Sequence, residues 1–395
     1  MVYQYDAKER IFGGHTGQFF LLITAVWLCV SLTSRLLPPL LPVIVDDLAI
    51  TAFLAGAAIT AQRMAQAGME YPSGRFADSV SRTTVLLGCI AFAIIGLVLL
   101  SLATTYLILF VALVVFGIGH GMYAPSSRAL LADMFRTKRG LAFGINMMGS
   151  EVAGILGAGI AIVVVAVATW RAAFLPIALL LIPLFVAVFL ISREPTAVQS
   201  VTLDLRPTVG RILGDSTLRL VLVVYSLYVL AASGVATFLP LFLIEVHGVS
   251  FAIASAAFAL LYVVGILVKP VGGYLSDMLP RLRVAGGSLV IAAGGLGILV
   301  VAPSTLVALG GVVVYAAGYR GLPPGLQAFL MDRFPDEHMA GDLGAMRTVY
   351  MFIGSLGPAY AGLAAGTVGF VPAFVSFLLF YLIGSAILLW VSRGR

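Results

Sequence analysis

GRFADSVSR at residues 74–82 and GYLSDMLPR at residues 273–281 are the two stretches that decide the fold. Both place glycine, aspartate and arginine in the same order and at the same spacing, and they lie 199 positions apart. Each stretch lies between two long apolar segments, as a short polar loop would. A polar pattern that occurs twice at a fixed distance predicts an internal repeat, with further residues matching at a similar shift.

The matches continue along the chain in the same order, at shifts between 198 and 200 residues. They pair Leu41-Pro42 with Leu239-Pro240, Gly119 and Pro125 with Gly318 and Pro324, Asp133 and Phe135 with Asp332 and Phe334, and Gly154 and Gly157 with Gly354 and Gly357. Ordered matches of this kind predict two halves built to one design.

The composition predicts a membrane protein, because 61% of the residues are hydrophobic and 10% are charged, against about 25% charged in soluble domains. A membrane-spanning helix needs roughly 20 apolar residues. Continuous apolar runs, without alternation, favour helices over a barrel. The twelve predicted spans are 17–45, 52–77, 83–103, 105–132, 139–167, 172–192, 217–244, 250–276, 283–302, 304–331, 341–366 and 369–392.

We therefore expect an all-α integral membrane protein with two pseudo-symmetric six-helix bundles, at 17–192 and 217–392. A cytoplasmic segment, 1–16, precedes the first bundle, and a polar cytoplasmic linker, 193–216, joins the two. Of the 23 Lys and Arg residues, sixteen fall in loops or tails on the side of the N-terminus, whereas Arg171 alone falls in an opposite loop. This asymmetry predicts that both termini are cytoplasmic, and it explains the net charge of +6 without nucleic acid.

The chain resembles the major facilitator superfamily. That family usually carries Gly-x-x-x-Asp-(Arg/Lys)-x-Gly-(Arg/Lys) between spans 2 and 3; here Gly74, Asp78 and Arg82 match, while Ser79 and Ser81 replace a basic residue and a glycine. TWRAAF at 169–174 and REP at 193–195 resemble the start and end of the family's sixth span. The resemblance implies a secondary transporter that works by alternating access.

The resemblance also implies a cytoplasmic gate. In this interpretation Gly74 packs where a side chain would not fit, Asp78 points at the N-terminal end of span 11, and Arg82 pairs with Asp133 at the end of span 4. The alternative is that the loop fixes only topology and turn shape. The candidate gate residues are Gly74, Asp78, Arg82, Arg128, Asp133, Gly273, Asp277 and Arg281.

Eight charged residues lie three or more residues from the ends of the predicted spans, and each costs about 2.5–3.5 kcal/mol at the centre of a helix. They are the bases Arg35, Arg63, Arg128, Lys269, Arg320 and Arg347 and the acids Glu70 and Glu151. They fall in spans 1, 2, 4, 5, 8, 10 and 11, which line the central cavity in the superfamily, and not in spans 3, 6, 9 or 12. This placement predicts a polar cavity.

The excess of bases over acids predicts an anionic substrate, because the planar arginine side chain binds a carboxylate through two parallel hydrogen bonds. The candidate substrate-binding residues are Arg35, Arg63, Arg320, Arg347 and Lys269. An alternative for Arg63 is an internal ion pair with Glu70 on the same helix face, and Arg128 also fits a cytoplasmic charge network. We expect His120 to be a hydrogen-bonded packing residue.

Glu70 and Glu151 are the candidates for proton coupling, because burial and neighbouring arginines act on a carboxyl group in opposite directions. The alternative is that both are permanent counter-ions to the arginines. Sodium is the alternative coupling ion.

The sequence thus predicts a monomeric plasma-membrane symporter for a small organic anion, a carboxylate in the first instance. Arg35, seven positions before Pro42, is similar to a base found in organic-anion importers of the superfamily. The alternative is a proton-driven exporter of drugs or metabolites, although span 4 lacks the exporters' central arginine and span 5 their Gly-Pro. No metal cluster, nucleophile elbow or phosphate-binding glycine loop is evident, so we expect neither a cofactor nor an enzyme.

Overall fold

The computed structural model describes residues 11–135, 137–192, 210, 212–334 and 339–393, without the side chains of Asp78, Ser79 and residues 339–341. Most of the predicted N-terminal segment, 1–16, and of the predicted linker, 193–216, lies outside the described residues, as does the REP stretch at 193–195.

The described part of the chain is helical and contains no strand. A short 3-10 helix, Trp170–Ala173, precedes α6. The α-helices are α1 (Gly14–Asp47), α2 (Ala52–Ser79), α3 (Arg82–Ser101), α4 (Tyr106–Met134), α5 (Arg139–Val167), α6 (Leu175–Ile191), α7 (Ser216–His247), α8 (Phe251–Met278), α9 (Arg281–Val301), α10 (Thr305–Arg333), α11 (Met339–Gly354), α12 (Gly357–Val368) and α13 (Phe370–Arg393). These helices confirm the predicted all-α class, and their ends lie within a few residues of the predicted spans.

Among the described residues, eleven segments are long and apolar enough to cross a membrane, with α11 and α12 together forming one of them. The remaining predicted span is α2, which has 28 residues but a more polar sequence. Its polar positions include Gln62, Arg63, Gln66 and Glu70. α2 thus has the length of a membrane span, and its polar residues include two candidate site residues, Arg63 and Glu70.

The predicted eleventh span, 341–366, is present as one membrane-length segment, Asp342–Val368, but the structure interrupts its helix between Gly354 and Gly357. Pro358 has no N–H group to donate to the Gly354 carbonyl four residues earlier. The Ser233 hydroxyl of α7 donates to that carbonyl instead, at 2.5 Å. A side chain from a neighbouring helix thus satisfies the carbonyl that the proline leaves open.

The internal repeat is visible in individual helix contacts. A Cβ added to Gly96 of α3 would collide with the backbone of Phe116 in α4. A Cβ added to Gly295 of α9 would collide in the same way with Tyr315 of α10, and both residues lie 199 positions after their counterparts. Glycine permits each pair of helices to approach at backbone distance. The pseudo-symmetry read from the sequence therefore extends to the packing of equivalent helices.

By their contacts, the described residues form two compact units. The first comprises α1, α2 from Ala61 onward, and α3 to α6; the second comprises residues 49–60 and α7 to α13. Within the second unit the Thr60 hydroxyl accepts a hydrogen bond from the Ala359 N–H of α12, at 3.0 Å. The bundle boundaries 17–192 and 217–392 stay predictions.

Replacing Gly295 by alanine should destabilise the protein by about 1–3 kcal/mol, because the new methyl group overlaps the Tyr315 backbone and the helices must separate. The measurement is the thermal unfolding midpoint of the purified protein in detergent. Gly294→Ala is the matched control, since a Cβ there meets no atom within 4 Å. Equal midpoints for the two variants would contradict the packing argument.

Candidate functional site

Two equivalent ion pairs lie at the ends of helices that the sequence predicts to be cytoplasmic. At the start of α3, Arg82 pairs with Asp133 of α4 and also donates to the Ala129 carbonyl. At the start of α9, Arg281 pairs with Asp332 of α10 and donates to the Ala328 carbonyl. The structure therefore contains the contact predicted for Arg82, and it repeats that contact 199 positions later.

The other candidate gate residues differ in how they pack. A Cβ on Gly74 would make ordinary contact with Pro125 at 3.5 Å, and one on Gly273 would meet nothing within 4 Å. A methyl group would therefore fit at position 74, so the prediction that no side chain fits there is wrong. Asp277 lines a cavity of about 370 Å³ together with Arg281 and Asp332. Arg128 is exposed on α4, and the Asp78 side chain lies outside the described part of the structure.

The second unit has a further ion pair that the sequence analysis missed. Asp215 caps the N-terminus of α7 by accepting from the Thr217 N–H at 2.8 Å, and it accepts a 2.6 Å hydrogen bond from Arg333 at the end of α10. Burial raises the pKa of Asp215, but Arg333 and the helix N–H groups lower it more, so the pKa lies below its ordinary value. An aspartate directly before a helix is a typical capping signal and could have been recognised.

Two predicted arginines and His120 come together in the first unit. Arg35 of α1 donates to the Ser150 hydroxyl of α5 at 3.3 Å. His120 of α4 is buried, and its Nδ1 shares a 3.1 Å hydrogen bond with the Ser34 hydroxyl. Arg35 and Arg63 both lie within electrostatic range of the His120 ring. We call Ser34, Arg35, Arg63, His120 and Ser150 the first-unit cluster.

Aromatic and amide groups that the sequence analysis did not single out border this cluster. The Trp27 indole stacks on the Tyr123 ring with 4.6 Å between centroids, and its edge faces His120 at 5.7 Å. The Asn146 amide donates to the Tyr123 hydroxyl at 2.8 Å, and that hydroxyl donates to the Ile23 carbonyl at 3.0 Å. Trp27, Tyr123 and Asn146 lie on spans 1, 4 and 5, which are among those predicted to line the cavity. That position could have identified them as candidates.

The two candidate proton carriers have different surroundings. Glu151 of α5 directly follows Ser150 and is 7% exposed. Glu70 of α2 is half-buried, and the Ser73 hydroxyl donates to its backbone carbonyl at 3.1 Å. Glu151 is therefore the more buried of the two candidates. It is also adjacent in sequence to Ser150, which belongs to the first-unit cluster.

Aromatic rings lie next to two of the candidate bases of the second unit. Arg320 of α10 is 8% exposed, and its guanidinium carbon lies 4.7 Å from the ring centroids of both Tyr262 and Tyr319. Arg347 lies one helical turn before Tyr350 on α11, and Tyr350 stacks on Tyr225 of α7 at 4.1 Å. Lys269 is half-buried on α8. The second unit thus places its arginines beside tyrosines, whereas the first-unit cluster uses hydroxyl and imidazole groups.

No group of three or more His, Cys, Asp or Glu residues with the spacing of a metal site occurs in the part of the chain that the structure describes. In each unit an arginine contacts neutral groups: the Ser150 hydroxyl accepts from Arg35, and the guanidinium of Arg320 lies over the Tyr262 and Tyr319 rings. Such an arrangement can bind an anion by charge and direction.

Among known proteins, the family model described as Major Facilitator Superfamily matches residues 23–358. The Probable sulfoacetate transporter SauU of Cupriavidus necator is 27% identical over 288 residues, which is 68% of this chain and 67% of that protein. The Multidrug resistance protein MdtH of Blochmanniella floridana is 27% identical over 143 residues, or 36% of this chain and 35% of MdtH. The matched region therefore spans about a third of MdtH and two thirds of SauU.

Solved structures share the fold. A bacterial homolog of the human lysosomal transporter Spinster gives a TM-score of 0.84 at 18% identity, covering 96% of this chain and 98% of that one. A D-xylose-proton symporter gives a TM-score of 0.77 at 12% identity, with 95% and 97% covered. At these identities the likeness shows the fold alone. Because the family model covers most of the sequence, and the helices and their repeated contacts agree with it, the chain belongs to the Major Facilitator Superfamily and is a multi-pass membrane transporter.

Proposed function

We propose that this transporter moves a small organic anion, a carboxylate in the first instance, across the cell membrane by alternating access. The observation that carries the proposal is the first-unit cluster, in which Arg35 donates to the Ser150 hydroxyl and the neighbouring Ser34 hydroxyl shares a hydrogen bond with the buried His120. Proton symport is the proposed coupling, with sodium as the alternative ion. The transporter would act as a monomer with both termini in the cytoplasm.

Charge and geometry support an anion. A hydrogen bond from Arg35 to the Ser150 hydroxyl orients the guanidinium without cancelling its positive charge. Two arginines held inside a membrane protein are costly unless water or a ligand solvates them. An arginine in such a place offers several N–H donors in one plane, which suits a carboxylate or sulfonate. The proposed substrate-binding residues remain Arg35, Arg63, Lys269, Arg320 and Arg347.

The name of one relative agrees with this choice of substrate class. SauU is named as a probable sulfoacetate transporter, and sulfoacetate carries a carboxylate and a sulfonate. A second candidate function is the export of drugs or metabolites. The observation in its support is the likeness to MdtH over 36% of this chain. The two candidates differ in the charge of the substrate and in the direction of transport.

Arg35→Gln should raise the KM for uptake of the transported acid by about tenfold to a hundredfold, because a charged hydrogen bond to the substrate is lost. The measurement is uptake into proteoliposomes of radiolabelled acetate, lactate, succinate and sulfoacetate, with and without an inward proton gradient. Arg283→Gln is the control, since Arg283 is an exposed base at the start of α9.

Uptake of one acid that is stimulated by the gradient and weakened in Arg35→Gln, but not in Arg283→Gln, would support the anion proposal. Extrusion of a lipophilic cation against the gradient, with none of the four acids moving, would overturn it in favour of export. Uptake that is stimulated by a sodium gradient alone would replace the proton as coupling ion.

Glu151→Gln should abolish stimulation of uptake by the proton gradient while leaving exchange of labelled for unlabelled substrate intact, because an amide cannot carry the proton. Glu70→Gln tests the second candidate in the same assay. The control is Glu245→Gln, at an exposed carboxyl group near the end of α7. If both buried variants keep gradient-driven uptake, the two carboxylates are counter-ions and the coupling group lies elsewhere.

We further propose that the two repeated ion pairs act in a cytoplasmic gate with Gly74, Asp78, Arg128, Gly273 and Asp277. Arg82→Asp should slow transport about tenfold through repulsion from Asp133, and the exchanged pair Arg82→Asp with Asp133→Arg should restore most of the rate. The same reversal at Arg281 and Asp332 should behave alike. The readout is the initial uptake rate together with the unfolding midpoint. A rate that follows only the midpoint would assign the pairs to stability.

A further inference from the structure

Five tyrosines and Arg320 form one connected group in the second unit. We call Tyr228, Tyr262, Tyr315, Tyr319 and Tyr381 the tyrosine cage. They come from α7, α8, α10 and α13. Each is at most 9% exposed, so the cage is an interior feature of the helix bundle. Of these six residues, Arg320 alone was predicted from the sequence.

Two members of the cage contact the charged group directly. The guanidinium carbon of Arg320 lies over the Tyr262 ring and over the Tyr319 ring, 4.7 Å from each centroid. Both distances are within the range of favourable cation–π attraction. The two rings belong to different helices, α8 and α10, so the contact fixes the guanidinium relative to both.

The other members hold Tyr319 and the helix that carries it. Tyr315 stacks on Tyr319 with 5.2 Å between centroids and 11° between ring planes. The Tyr315 and Tyr381 hydroxyls share a 3.1 Å hydrogen bond. The Tyr228 hydroxyl donates to the Tyr319 backbone carbonyl at 2.8 Å. These contacts leave Tyr319 little freedom to move away from Arg320.

Aromatic faces stabilise a cation differently from a carboxylate. They attract the guanidinium through the ring quadrupole but carry no net charge, so the rings themselves do not neutralise it. They also contact the guanidinium carbon, whereas hydrogen bonds are made by the N–H groups at its edge. A guanidinium that is held over rings can therefore offer its edge to two oxygens of one oxyanion.

We propose that Tyr262 and Tyr319 are positioning residues for anion recognition, which hold Arg320 so that its edge binds one carboxylate or sulfonate group of the substrate. This inference rests on the proposed function and adds to it the residues that set affinity at Arg320. The rings act through their faces, so phenylalanine at either position should serve as well as tyrosine. Leucine, which has no ring quadrupole, should not.

The test is the kinetics of proteoliposome uptake, with sulfoacetate and succinate as probes. Tyr262→Leu and Tyr319→Leu should each raise KM by about tenfold. Vmax should stay within about twofold, because binding rather than turnover is affected. Tyr262→Phe and Tyr319→Phe should keep the KM of the unmodified protein. Tyr360→Leu is the size-matched control, since Tyr360 packs on Phe377 and Phe380.

A double-mutant cycle separates positioning from general packing. Arg320→Gln should raise KM by itself, and Tyr262→Leu should add little in that background, because its effect is transmitted through Arg320. An additive effect, a fall in Vmax with unchanged KM, or equal losses for the Phe and Leu variants would each overturn the inference while leaving the anion transporter intact. If the unmodified protein takes up neither probe but takes up acetate or lactate, the same cycle is run with that acid; if it takes up none of the four, the proposed function and the inference both fail.

Discussion

Holding positive charge inside an apolar bundle is the constraint on which the arrangement of this transporter depends. A guanidinium at membrane depth must be solvated by the protein, by water or by a ligand. The first unit places the Ser150 hydroxyl as a hydrogen-bond acceptor for Arg35. The second unit places the ring faces of Tyr262 and Tyr319 beside Arg320. A serine hydroxyl and a tyrosine ring are both neutral groups, and this is the basis of the proposal that the substrate is an anion.

The internal repeat accounts for the helix packing that the two halves share, and the positions at which the halves differ carry candidate binding groups. Gly96 and Gly295 make the same backbone approach in the two halves, and Arg82 and Arg281 make the same ion pair. At a shift of 199 residues, however, His120 corresponds to Tyr319, a position next to Arg320. Equivalent helix positions thus carry an imidazole in one half and a cation-binding ring in the other. The two halves therefore share their helix packing but differ in the side chains that they carry at equivalent positions.

The sequence predicted the helices well because apolar length and the repeat determine them, and α5 begins and ends where expected. The Arg82–Asp133 pair was implied by the resemblance to the superfamily, and both residues recur at the same shift. The sequence missed the break before Gly357, which depends on a hydrogen bond from Ser233 of another helix. It also missed the tyrosine cage, because ring contacts between α7, α8, α10 and α13 have no local pattern.

The interruption between α11 and α12 gives the second unit a joint with little backbone resistance. Pro358 has no N–H group, so the main-chain hydrogen bond that would resist bending there is missing. The Gly354 carbonyl accepts a hydrogen bond from the Ser233 hydroxyl of α7 instead. A hydroxyl can rotate and keep its acceptor through a change of angle that would break a helical hydrogen bond. Arg347 lies on the α11 side of this joint and Ala359, which donates to Thr60, lies on the other. Bending at this joint would move Arg347 relative to the anchored Ala359.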